Sequence, residues 1–136
     1  MSVSPVIALR KAIRARLFAN APFVAMLGGE KLYDEAPRGA EPPYALFAET
    51  QARDWSAQLS QGVEQFVVVS VISTQRGLKE AIEIGEAVVG LLDEAPLALE
   101  DHALIDLRYV GMETRREQQG RFARVNLRFR ATTERT

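Results

Sequence analysis

The strongest hydrophobic pattern in the chain is a run from Glu64 to Ser73 that is rich in β-branched residues. Such residues favour extended backbone, so this run predicts a β-strand. Both faces of that strand carry apolar side chains: Phe66, Val68 and Ile72 on one, and Val67, Val69 and Val71 on the other. Because a strand that is apolar on both faces needs cover on both, the pattern predicts a central place in a sheet.

The hydrophobic period changes after Gly77, where apolar residues begin to recur at helical spacing. The members of this stripe are Leu78, Ala81, Ile82, Gly85, Val88, Val89 and Leu92. Charged residues fall largely on the opposite side, which predicts an amphipathic helix over 78–92. Thr74 or Ser73 is the predicted N-cap of this helix, and Pro96 prevents the helix from continuing.

Two further helices are predicted at the N-terminus. The first covers Met1 to Asn20, with Ser4 as its capping residue. The second covers Ala21 to Leu27, with Asn20 as its cap and Gly28-Gly29 as its end.

Two short alternating segments follow these helices. Residues 30–35 predict a short strand, and Tyr44 to Thr50 predict a second one. The polar connection from Gln51 to Gly62 then forms a long hairpin tip before the strand of valines.

The last third of the chain predicts an antiparallel hairpin around a loop from Thr114 to Gly120. One register places every strong hydrophobe on one face: Ile105 opposite Phe129, Leu107 opposite Leu127, and Tyr109 opposite Val125. The same register sets Asp106 opposite Arg128, a cross-strand pair that contributes roughly 0.2–1 kcal/mol. A slip of one residue would destroy both features.

The resulting order of elements is α-α-β-β-β-α-β-β. It predicts an α+β fold, with a mostly antiparallel four- to five-stranded sheet and helices packed on one face. At 136 residues the chain is expected to form a single domain, residues 1–136.

Composition narrows the classes of function. The chain has no cysteine, which excludes disulfides, thiolate metal sites and cysteine nucleophiles. Its net charge of −1 argues against a dedicated nucleic-acid binder. Neither a signal peptide nor a run of membrane-spanning length is recognisable, so no membrane partner is expected.

The sequence offers little for catalysis. His102 is the only histidine and is expected to be an exposed residue at the start of a strand. No phosphate-binding glycine motif, histidine pair or calcium loop is present. We therefore expect no catalytic residue, no cofactor, no metal and no enzymatic activity.

Four arginines of the final hairpin form a candidate basic surface on its polar face: Arg108, Arg124, Arg128 and Arg130. This surface is either a solvated face with partial salt pairing or an interaction surface toward another subunit or a polyanion. Trp55 and Leu59 in the polar connection are similarly open to two interpretations. They either cover the edge of the sheet or form a partner-docking loop.

The order of the segments is similar to that of a known family. The chain passes from Phe23-Val24-Ala25-Met26-Leu27-Gly28-Gly29 to Lys31-Leu32-Tyr33-Asp34, then to Pro42-Pro43-Tyr44 and Asp54-Trp55-Ser56. The strand of valines, the helix ending Leu91-Leu92-Asp93 and a final strand ending Arg124-Val125-Asn126-Leu127-Arg128-Phe129-Arg130 complete the order. Over nearly its whole length the chain resembles the tail-completion, or tail-terminator, proteins of long-tailed bacteriophages and gene transfer agents.

This resemblance implies a non-enzymatic structural protein of a virion that is assembled in the host bacterial cytoplasm. Lambda-type terminators close into a homohexameric ring that caps the tail tube and joins it to the neck or head-completion proteins. The implied partners are therefore other copies of the chain, the tail tube protein and a neck protein. DNA would pass through the ring without being read by sequence.

A ring built from identical subunits needs two different complementary patches on each one. The candidate patches are a basic side of the first helix, with Arg10, Lys11 and Arg14, and an acidic side of the later helix, with Glu80, Glu83 and Glu86. These two groups pair either between subunits or within one subunit.

Two other classes of function compete with the terminator. One is a neck adaptor or tail-tube subunit of the same particle, which would also form rings. The other is a small enzyme or ligand-binding α+β domain with a carboxylate-lined pocket.

Overall fold

A computed structural model describes residues 3–74 and 76–136. Its elements, in chain order, are α1 (Pro5–Phe18), α2 (Ala21–Leu27), β1 (Leu32–Tyr33), β2 (Tyr44–Asp54), β3 (Gly62–Thr74), α3 (Leu78–Leu92), β4 (His102–Glu117) and β5 (Phe122–Arg135). This order confirms the predicted α-α-β-β-β-α-β-β arrangement and the α+β class. The first two positions of the predicted N-terminal helix lie outside the described residues.

The five strands form one sheet in the order β1-β2-β3-β5-β4. The β1–β2 pair is parallel, and the other neighbours are antiparallel. The strand of valines, β3, therefore lies in the centre of the sheet, as its two apolar faces predict.

One face of the sheet packs against the helices and forms the core. From the sheet, the core takes odd-numbered positions of the two central strands: Val67, Val69 and Val71 of β3, and Val125, Leu127 and Phe129 of β5. From the helices it takes Leu9, Ile13 and Leu17 of α1, and Ile84, Val88 and Leu92 of α3. The opposite face carries the even-numbered positions, and we call it the open face. Phe66 and Val68 are only half-buried there, so helices cover β3 on a single side.

The capping predictions hold for the first two helices and are wrong for the third. The Ser4 hydroxyl accepts from the backbone N–H groups of Val6 and Ile7, and the Asn20 side chain accepts from that of Phe23. The N-cap of α3 is Gly77, which makes no side-chain capping bond. Thr74 and Ser73 were the candidates for that role, but β3 continues through both, and the Ser73 hydroxyl donates to Glu80 instead.

The final hairpin exists, but its predicted register is wrong. Tyr109 lies opposite Phe129 and Asp106 lies opposite Thr132, rather than opposite Val125 and Arg128. The strands also extend further into the predicted loop, because β4 continues to Glu117. Ile105, which was predicted to be in the core, lies at a register shift between Leu104 and Asp106 and is 50% exposed.

The register differs because β4 contains two irregularities that alternation alone does not reveal. One lies between Leu104 and Asp106, and the other between Tyr109 and Gly111. Each adds one residue to β4 that has no partner on β5, which bends the strand. The turn that follows is short, with positive φ angles at Gln118, Gln119 and Gly120.

Candidate interaction surfaces

The open face of the sheet contains a groove of about 440 Å³. Its floor crosses the central strands where Val68 of β3 lies opposite Arg128 of β5. Ala48 and Glu49 of β2 line one side, and Val110 of β4 lines the other. We call this feature the open-face groove.

Irregularities in the flanking strands shape this groove. The β2–β3 register shifts between Phe47 and Thr50, and the β4–β5 register shifts between Tyr109 and Gly111. Because bulges bend a strand and increase its twist, both sides of the sheet are deformed at the level of the groove. The second irregularity also explains why the apolar side chain of Val110 is half exposed there.

The arginines of the candidate basic surface lie on the open face, where most are neutralised. Both Arg130 Nε and Nη2 are 2.6 Å from Glu64 Oε2. Arg124 donates to Asn126 and Ser70, and lies 3.6 Å from Glu117. These pairs match the solvated, salt-paired interpretation more closely than a continuous basic patch. A role for the surface toward a polyanion stays a prediction.

Arg108 and Arg128 differ in their partners. Arg108 forms ion pairs of 3.0 Å with Asp106 and 3.2 Å with Glu94. The hydrogen bond that Arg108 donates to Asp106, together with the charges of Asp106 and Glu94, raises the pKa of Arg108 above its ordinary value. Arg128 instead lies over the Phe66 ring, 4.5 Å from its centroid, and has no carboxylate within ion-pair distance among the described residues.

The candidate docking loop is an ordered turn at the end of the β2–β3 hairpin, and we call residues 55–61 the tip. Its base is closed by a 2.8 Å bond from the Trp55 N–H to the Gly62 carbonyl. Ala57 and Ser60 exchange backbone hydrogen bonds of 3.0 and 3.3 Å, which places Leu59 in the turn. Leu59 is 99% exposed and so covers nothing, whereas Trp55 is 43% exposed; a docking role for the two stays a prediction.

The basic residues of α1 bind within their own subunit. Arg10 lies 3.2 Å from Asp34 and donates a 3.0 Å hydrogen bond to Thr50. Arg14 lies 3.8 Å from the same carboxylate and also donates to the Leu32 carbonyl. These contacts fasten α1 to the β1–β2 region. Lys11 is more exposed and lies 3.8 Å from Glu100.

The acidic residues of α3 do not meet those basic residues within the described subunit. Glu80 accepts a hydrogen bond from Ser73, and Glu83 lies 3.9 Å from Lys79 on the same helix. Glu86 is exposed and has no ion pair in the ranges described. Pairing of the two groups between subunits stays a prediction.

His102 is buried rather than exposed, which corrects the expectation from the sequence. Its Nε2 lies 2.7 Å from the Val3 carbonyl oxygen, so the ring fastens the N-terminal segment to the start of β4. Asp101 adds to this junction by accepting a 2.8 Å bond from the Val3 N–H. Within 3–74 and 76–136 there is no group of three or more acidic or histidine side chains that could hold a metal ion. In the same ranges, no helix is long and apolar enough to cross a membrane.

Sequence reasoning missed the buried carboxylate of Glu64. Its side chain is 4% exposed and lies between Arg53 and Arg130. Glu64 lies two positions before Phe66, so the alternation of β3 places it on the open face, and this was the available signal. No comparable sequence pattern predicts the two strand irregularities that shape the groove.

These features define a small α+β domain with an exposed hairpin tip and a groove on its open face. The sequence matches the family model of tail completion protein gp17 over residues 11–134. The chain therefore belongs to that family, which makes it a structural protein of a phage tail and implies a non-enzymatic role.

Solved structures agree with this family. Twenty-two chains match significantly. One belongs to a structure described as the virion of a native gene transfer agent particle. The two chains are 29% identical with a TM-score of 0.88, and the match covers 98% of this chain and 99% of the other. No curated protein sequence matches significantly.

Proposed function

We propose that this protein is a ring-forming tail terminator. Six copies close into a ring on the head-proximal end of the tail tube, stop its growth and present a surface to the neck proteins. The observation that carries the proposal is the match over 98% of this chain to a chain of a gene transfer agent virion. The ring is assembled in the host cytoplasm and stays in the tail or neck of the particle.

The charge of the subunit is compatible with passage of DNA through the ring. Lys and Arg total 17 against 18 for Asp and Glu, and most arginines of the open face are ion-paired. Affinity for DNA rises with the number of phosphates that unpaired Lys and Arg side chains neutralise. Such a subunit therefore binds DNA weakly. DNA that slides through the ring needs contacts that are weak and that do not recognise its bases.

A closed ring also needs two different surfaces that fit each other. The subunit offers a tip that exposes Leu59 at one end of the β2–β3 hairpin and a groove on its open face. It also carries exposed basic and acidic residues on separate helices, represented by Lys11 and Glu83. These surfaces differ from one another, as a heterologous contact requires.

The proposal is tested by removing the gene from the genome that encodes the particle. Loss of a terminator yields tails of uncontrolled length that do not join heads, and plasmid-borne protein restores normal particles. Tails of normal length that still lack heads would assign the chain to a neck adaptor instead. Absence of any tail tube would contradict a terminator and indicate a tube subunit.

A second measurement concerns the purified chain and its mixture with tail tubes. Light scattering coupled to size-exclusion chromatography, followed by electron microscopy, should show discrete rings, formed alone or at tube ends. Open-ended tubes made by the chain itself would contradict the proposal. A monomer that does not bind tail tubes, and whose melting temperature rises with a small ligand, would favour a ligand-binding domain.

A further inference from the structure

The tip presents an apolar side chain, Leu59, that no other described part of the chain covers. The backbone bonds between Ala57 and Ser60 fix the backbone of the turn and leave the Leu59 side chain fully exposed to solvent. A turn whose backbone is already ordered has less backbone freedom to lose on binding, so an exposed apolar group in such a turn is suited to an interface.

We propose that the tip of one copy inserts Leu59 into the open-face groove of a neighbouring copy, between Val68 and Val110. This inference rests on the proposed ring and names its subunit contact. The groove, at about 440 Å³, lies within the range of roughly 300–1,000 Å³ in which proteins enclose small molecules. A turn that carries one leucine is of that size.

The tip of the same chain cannot fill this groove. Gly62 at the base of the tip and Val68 on the groove floor are six positions apart along β3. At 3.3–3.4 Å per residue, this separation is about 20 Å. The tip extends beyond Gly62, away from the groove, and its closing bonds keep it there. A tip that fills the groove therefore comes from another copy.

The charges that flank the tip complement those that flank the groove. Asp54 and Arg135 lie on either side of the base of the tip, where Arg135 N–H donates to the Gln61 carbonyl. Glu49 and Arg128 line the groove. All four are exposed, and none has an ion pair among the residues described. Insertion brings Asp54 toward Arg128 and Arg135 toward Glu49, which gives two favourable pairs across the contact.

The contact is of the kind that closes a ring. The tip and the groove are different patches of the subunit, so each copy gives its tip to one neighbour and receives a tip from the other. Such heterologous contacts produce a closed ring when the rotation between copies closes.

Cysteine cross-linking tests the contact directly, because the chain has no cysteine of its own. The variant Leu59→Cys/Val110→Cys is assembled on tail tubes and mildly oxidised, then run on a denaturing gel without reductant. We expect a ladder of covalent multimers, since disulfides form only when the two Cα atoms are about 4.4–6.8 Å apart. Leu59→Cys/Val68→Cys samples the groove floor, and Leu59→Cys/Ala25→Cys is the control from an exposed position on α2.

Charge exchange provides an independent readout. Arg128→Glu and Asp54→Lys should each lower ring formation about tenfold or more, and the combined variant should restore it. Glu49→Arg with Arg135→Glu repeats the test at the second pair, in case one change disturbs the turn. Arg38→Glu, in an exposed loop, is the charge-matched control and should leave ring formation unchanged.

Failure of this inference is distinguishable from failure of the proposed function. The tip-in-groove contact would be wrong if rings formed normally, gave no Leu59 cross-link and were unaffected by substitutions at both charge pairs. The proposed terminator function would not be affected by that result. If the chain forms no ring with tubes and its deletion leaves tail length and head joining normal, the terminator and the contact fall together.

Discussion

The buried carboxylate of Glu64 and the half-buried Arg130 form an ion pair on the open face of the sheet. Arg130 Nε donates to Glu64 Oε2 at 2.6 Å, and Arg53 from the strand on the other side donates to Oε1 of the same carboxylate. A single acidic group thus connects β2, β3 and β5. Burial raises the pKa of the Glu64 carboxyl, but the hydrogen bonds and charges of Arg130 and Arg53 outweigh burial, so its pKa lies below its ordinary value of 4.5.

The depressed pKa predicts how stability depends on pH. A carboxyl whose pKa is lower in the folded chain stabilises the fold above its unfolded pKa, and this contribution is lost as pH falls through the folded value. Glu64→Gln should therefore lower Tm at pH 7 and flatten the loss of stability below about pH 4.5. Thermal melts between pH 3 and pH 7 measure this, with the exposed Glu30→Gln as a control. Parallel pH profiles for wild type and Glu64→Gln would contradict it.

Two glycines of α3 should respond to substitution in opposite directions. A Cβ at Gly90 meets nothing within 4 Å, whereas one at Gly85 lies 3.3 Å from Val125 and 3.4 Å from Leu127. We expect Gly90→Ala to stabilise the protein by about 0.5–1 kcal/mol through helix propensity. Gly85→Leu should destabilise it by about 1–3 kcal/mol or more, because the side chain has to enter a packed core.

Urea unfolding of both variants measures these changes. Gly90→Leu is the matched control for helix propensity, since both positions lie in the same helix and start from glycine. If Gly85→Leu were neutral, α3 would have to pack less closely on β5 than described.

Local signals in the sequence were sufficient to predict the positions of the helices and the order of the elements. Caps such as Ser4 and Asn20 act on neighbouring backbone groups, so their role is visible within four residues of sequence. The register of the final hairpin depends instead on irregularities in β4 and on the turn near Gly120. An extra residue in one strand shifts the pairing beyond it, and alternation carries no record of where that residue lies.

The interaction surfaces were only partly predictable for a similar reason. Trp55 and Leu59 were identified because aromatic residues on loops are common interface anchors, and the structure leaves Leu59 fully and Trp55 partly exposed. The groove depends on side chains from four strands, and the sequence does not place Glu49 and Arg128 in the same groove without the register. Likewise, the contact between Arg14 and Asp34 is a tertiary one that the helix pattern does not contain.

The geometry of the tip depends on Gly62. A Cβ at this position would lie 2.7 Å from the Trp55 carbonyl oxygen and 3.3 Å from the Thr133 carbonyl oxygen, both backbone atoms that cannot move alone. Gly62→Ala should therefore loosen the tip and cost about 1–3 kcal/mol. Hydrogen exchange at the Trp55 and Ala57 amides should speed up more than exchange in α1. Gly39→Ser is not a suitable control, because Gly39 has a φ of +80°. Ala52→Ser, exposed on β2, serves instead.

The last prediction concerns the charged patches on α1 and α3. Arg14 contacts the Leu32 carbonyl and Asp34, so its reversal damages the subunit and cannot by itself report on a ring. Lys11 is 77% exposed, with only a 3.8 Å pair to Glu100, and Glu83 has only its pair within α3. Exposed pairs of this kind contribute about 1 kcal/mol or less, so Lys11→Glu and Glu83→Lys should leave Tm almost unchanged.

If the two patches meet between copies, each of these changes weakens ring formation, and the combined variant restores it, because the charges are exchanged and not removed. Light scattering at several salt concentrations measures the effect, which should fade as salt screens the pair. If neither single change alters ring formation, the patches do not form the contact. The tip and the open-face groove would then have to carry the subunit interface without them.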